Sequence, residues 1–153
     1  MNIGKILHSI AEAMGACPFT DWKPPEPTIY PSGTIDIHTA SSILLDKIEE
    51  MGMPEAEIYL PDTAIKVYNK ERVKLFLRLN EVSEIVYTAE FDCDDFAAEL
   101  FGRFAGLVWT NIHALNWFID DVGKFYFIEP QSDKIAPALE GWQGSMVRFF
   151  IGR

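Results

Sequence analysis

The chain has little positive charge: 13 Lys and Arg stand against 23 Asp and Glu, a formal net charge of −10 at pH 7 over 153 residues. A phosphate backbone is repelled by such a surface unless the few cations gather on one face, so no nucleic-acid partner is expected. No apolar run approaches the roughly 20 residues of a membrane span. The longest one, in the C-terminal third, is broken by Asn116, Asp120 and Asp121, and a soluble protein without a membrane partner is expected. Cys17 and Cys93 are too few for a disulfide framework and read as reduced thiols, with one bridge still open. The chain lacks GxGxxG and GxxxxGK, the common phosphate-cradling loops. Two cysteines and three histidines, His8, His38 and His113, have no zinc-ligand spacing. No cofactor is expected. Asp92, Asp94, Asp95, Asp120 and Asp121 offer hard oxygen ligands, but no EF-hand spacing, and no metal is assigned.

What is present suits one folded domain: 48% of residues are hydrophobic and 13% aromatic, enough for a sizeable core. Over residues 1–16, Ile3, Ile6, Leu7 and Ile10 recur at helical spacing, while His8 and Glu12 interrupt any signal-peptide core. A short amphipathic helix suited to core packing or self-association is expected, without a signal peptide or membrane segment, in a cytoplasmic or phage-particle setting. Five prolines between Cys17 and Pro31 make an extended connector. The division is therefore an arm over 1–31 and a domain over 32–153.

Within the domain, Ile43, Leu44, Leu45, Ile48 and Met51 mark a helix starting at Thr39 or Ser41 and stopped by Gly52 and Pro54. Glu57 to Leu60 reads as a short strand. Asn69 caps a second helix carrying Val73, Phe76 and Leu77, and Ile85 to Thr88 reads as a brief extended piece. From the cap Asp92, answered by Asp95, a third helix carries Phe96, Ala97, Leu100, Phe101 and Phe104. The β-branched and aromatic run over 107–120, the turn at 120–123 and the strand Lys124 to Glu129 follow. Alternating Val147, Phe149 and Ile151 suggest a last antiparallel strand. The expected class is α+β, helices packed on an antiparallel sheet.

The candidate chemistry lies in the same region. A thiol in the first turn of a helix meets the positive end of the dipole, which favours thiolate, and Cys93 holds that position. His113, on the run that follows, and Glu129, on the next strand, come close if the turn at 120–123 pairs their strands antiparallel. A nucleophile, a base and a group that orients the base are thereby available in order. Asn116 or Asp133 could orient the histidine instead of Glu129. The neighbouring Asp92, Asp94 and Asp95 act against a thiolate.

The stretches Cys93-Asp94-Asp95-Phe96-Ala97, His113-Ala114-Leu115-Asn116 and Ile128-Glu129-Pro130-Gln131, in that order, resemble the core of the papain-like and transglutaminase-like cysteine enzymes. The Glu in third place is most similar to the cysteine-protease domain that follows the lectin domain of a fungal agglutinin, and to its small stand-alone relatives. The resemblance covers roughly residues 57 to 135. It implies a papain/transglutaminase-like core in which Cys93 is nucleophile, His113 base and then acid, and Glu129 the orienting group of a catalytic triad. The expected activity is that of a thiol protease, amidase or acyl-transferase on a peptide or other amide. The family's usual Gln ahead of the cysteine is missing, leaving backbone N–H groups or the indoles of Trp109, Trp117 or Trp142 as oxyanion donors. An aromatic cleft from these tryptophans and Tyr126 is expected. The competing reading is a non-catalytic binding or assembly protein on the same fold, such as a phage or prophage component.

Overall fold

The computed structural model describes residues 26–61 and 63–153, together with Ala13. The expected N-terminal helix over 1–16 and most of the proline-rich connector lie outside these residues. Six residues after the arm's last proline, Pro31, the first helix begins: α1 spans Ile37–Met51, α2 Lys70–Leu79 and α3 Cys93–Arg103. The strands are β1 Gly33–Asp36, β2 Glu57–Tyr59, β3 Ala64–Val67, β4 Gly106–Thr110, β5 Ala114–Ile119, β6 Phe125–Glu129, β7 Lys134–Ala136 and β8 Val147–Ile151. No helix of the described residues is long and apolar enough to cross a membrane.

Local chemistry sets the helix ends. Asp36 caps α1 by accepting the N–H groups of His38 and Thr39, so the helix begins two residues before the expected Thr39. Gly52, at φ 68°, ends it in the left-handed conformation that an L side chain resists. Asn69 caps α2 as its residue type suggests, and Asp92 and Asp95 close a reciprocal box at the start of α3.

Six strands form one sheet in the order β2-β8-β4-β5-β6-β7, while β1 and β3 pair separately. The class is α+β, but the main sheet is mixed: β2 joins β8 in parallel and the other ladders are antiparallel. Helices cover both faces. On one, Ala40, Leu44 and Ile48 of α1 pack with Leu115, Trp117, Ile119, Phe125 and Phe127; on the other, Phe76 and Leu77 of α2 and Phe96 and Leu100 of α3 pack with Phe118, Tyr126 and Ile128. Alternate residues of β5 and β6 thus feed two cores, which explains why every residue of both strands is buried. Gly106 permits the closest approach: a Cβ there would fall 2.2 Å from Cε2 of Trp117.

Two local expectations change. The run over 107–120 is not one strand but two, β4 and β5, paired antiparallel with Trp109 opposite Ala114. At the other edge of β4, the register slips between Trp109 and Thr110, so that Arg148 is an extra residue. Val147 consequently turns to the buried side with Phe150, and the simple alternation of Val147, Phe149 and Ile151 is lost.

Candidate functional site

Antiparallel pairing of β5 with β6 sets Asn116 opposite Ile128, and beyond that pair, where the ladder ends, the side chains of His113 and Glu129 come together. The imidazole Nε2 lies 2.8 Å from Glu129 Oε2, with both side chains buried. His113 itself stands just before β5, in the turn that follows β4. Its backbone is fixed there by Thr110, whose hydroxyl oxygen receives the His113 N–H at 2.9 Å and reaches the Gln143 carbonyl at 2.7 Å. Glu129 Oε2 accepts a second hydrogen bond, from Gln143 Nε2 at 2.8 Å. A carboxyl group only 3% exposed thereby has the Gln143 amide donating to it and the imidazole at hydrogen-bond distance, the kind of pairing that burial of a polar group requires.

Gln143 belongs to the single turn Gly141–Gln143, a stretch whose place in the site carries no sequence signal. Its Oε1 accepts the Glu140 N–H at 2.8 Å, and Glu140 accepts from the Trp142 indole at 2.7 Å. Trp142 is 56% exposed, with its ring centre 5.1 Å from that of His113. The loop therefore ties a buried polar pair to an indole standing in solvent.

Cys93 opens α3, and its sulfur lies by the Ala114 amide, beside His113. No hydrogen bond joins the sulfur to the imidazole, whose bond is to Glu129. Burial raises the Cys93 thiol above its ordinary range, the Ala114 N–H opposes this, and the Asp92 and Asp94 carboxylates raise it further. Asp94 is itself raised, first by its hydrogen bond with Asp92. The structure thus joins two of the three expected site residues directly and sets the third nearby, its thiol pushed above the ordinary range by burial.

Other candidates are occupied elsewhere. Asn116 donates to the carbonyls of Ala97 and Gly106, binding α3 to the sheet rather than orienting His113. Asp133 accepts from Ser83. The Trp117 indole donates to the Leu107 carbonyl and that of Trp142 to Glu140, so neither serves an oxyanion. Trp117 and Tyr126 belong to the two opposite cores, and the expected aromatic cleft does not form. Asp120 accepts the Val122 and Lys124 N–H groups within its turn. Asp92, Cys93 and Asp94 place three ligand-type atoms within 4.8 Å of one another, the one such grouping among the described residues.

No family model matches the chain, and no curated protein matches it. Solved structures do. A PSL1a–E64 complex matches with a TM-score of 0.61 at 21% identity, over 77% of this chain and 50% of that one. Polyporus squamosus lectin, bound to the human-type influenza-binding epitope Neu5Acα2-6Galβ1-4GlcNAc, matches with a TM-score of 0.60 at 20% identity, over 77% of this chain and 49% of that one. The chain thus spans about half the length of the structures it resembles, and at this identity the likeness is one of fold. The second of these is named as a lectin, and neither printed name is that of a papain-like cysteine protease. The expected membership of the papain-like and transglutaminase-like enzymes is corrected accordingly, and with it the expectation of a thiol protease using a catalytic triad on a peptide substrate.

Proposed function

We propose that the chain is a non-catalytic binding protein whose ligand is a carbohydrate, held where Cys93, His113 and Glu129 meet Gln143 and Trp142. The observation that carries this reading is the Trp142 indole: largely exposed, beside a buried polar pair, with its N–H already engaged by Glu140. An aromatic face so fixed loses little conformational freedom on binding and offers an apolar surface to the C–H face of a sugar ring. Glu129, itself held by the Gln143 amide, fixes the His113 ring at Nε2, leaving Nδ1 as its remaining polar atom. The lectin whose fold this chain shares supports the ligand class. The binding unit is proposed to be residues 32–153, with 1–31 as an arm outside it.

Calorimetric titration with a glycan panel that includes Neu5Acα2-6Galβ1-4GlcNAc and its neutral disaccharide tests the proposal. Binding that disappears in Trp142→Ala, with the melting temperature kept, is the expected result. No heat with any glycan, or binding indifferent to Trp142, overturns it.

A further inference from the structure

The opposite end of the β5–β6 hairpin carries a cavity of about 570 Å³. Lys47, Lys70 and Lys124 line it together with Asp46, Glu50 and the apolar Ile43 and Phe125. Three of the chain's 13 cationic side chains therefore converge on one hollow of a protein whose net charge is −10. Lys47 is buried, and its Nζ meets Glu50 at 2.9 Å, a carboxylate itself in solvent. Lys70 stands 4.0 Å over the Tyr126 ring. Neither Lys70 nor Lys124 reaches a carboxylate among the described residues, whereas Lys74 and Lys134 each do. Asp46 and Glu50 share the hollow, with Glu50 engaged by Lys47; the ammonium groups of Lys70 and Lys124, outside ion-pair distance of either, stand beside an apolar wall where an external anion can be received.

We infer that this cavity is a second binding site, for a small organic anion whose acidic group lies between Lys70 and Lys124 and whose apolar body rests on Ile43 and Phe125. The buried Lys47 lies at its base. The site requires nothing of the carbohydrate reading, since it lies at the other end of the hairpin from Trp142.

Phenyl phosphate is the probe, with benzyl alcohol as its uncharged counterpart, read by amide chemical shifts in the full chain. Saturable shifts at Gly123, Lys124 and Tyr126 are expected with phenyl phosphate and not with benzyl alcohol. Affinity should fall about tenfold or more in the Lys70→Gln, Lys124→Gln double variant, as for loss of a charge-assisted contact. Lys134→Gln, at an exposed lysine paired with Glu140, should change nothing. Trp142→Ala should also leave phenyl phosphate binding intact, which separates this site from the first. Absence of shifts, equal binding by benzyl alcohol, or full affinity in the double variant overturns the inference.

Discussion

The two ends of the β5–β6 hairpin solve the problem of charge in opposite ways. At the open end, Glu129 is buried and receives Nε2 of Gln143, and His113 lies at hydrogen-bond distance from it, so that the charge belongs to the fold. At the turn end, Lys124 is exposed and Lys70 rests on an aromatic face, so that the charge is left for something else. Buried ionic groups become costly when a partner is removed, while surface charges are nearly neutral to stability. One hairpin therefore has an end whose substitution should unfold the protein and an end whose substitution should alter only binding.

The sharpest way to break this comparison is Glu129→Ala, which strips both His113 and Gln143 of their acceptor in a closed space. A loss of about 3 kcal/mol is expected in urea unfolding. Thr110→Val keeps the volume but leaves the buried His113 N–H without its acceptor, and about 1–2 kcal/mol should be lost in the same assay. Asp94→Asn removes a negative charge beside Cys93. Since that charge disfavours thiolate, its loss lowers the thiol pKa, and alkylation of Cys93 near neutral pH should quicken a few-fold. At the turn end, Lys124→Gln should shift stability by no more than about 0.5 kcal/mol. A large loss there would erase the distinction between the two ends.

The helices were legible in the residues because their signals are local. Asn69, Asp92 with Asp95, and Gly52 act within a turn of themselves, and the structure has them in those roles. The His113–Glu129 contact was legible too, since an antiparallel hairpin about residues 120–123 leaves few other ways for the strands to return. The break between β4 and β5 was not, because Thr110-Asn111-Ile112-His113 contains neither Gly nor Pro and turns by means of the Thr110 hydroxyl and the partner strand. Gln143 was invisible for a related reason: its role depends on a side chain 14 residues away. For Cys93 the dipole of α3 is a generic favourable effect, while burial and, after it, two carboxylates at this site act in the other direction.

The central claim is that Cys93, His113 and Glu129 belong to a binding site and not to an activated thiol. Iodoacetamide labelling of Cys93 against pH, resolved by mass spectrometry in the native protein and in His113→Ala, tests it most directly. The account predicts slow labelling at about pH 6, rising only beyond the ordinary thiol pKa of about 8.5 and alike in both proteins. Rapid labelling at about pH 6 that is lost in His113→Ala would contradict it, for it would reveal a thiolate paired with the imidazole.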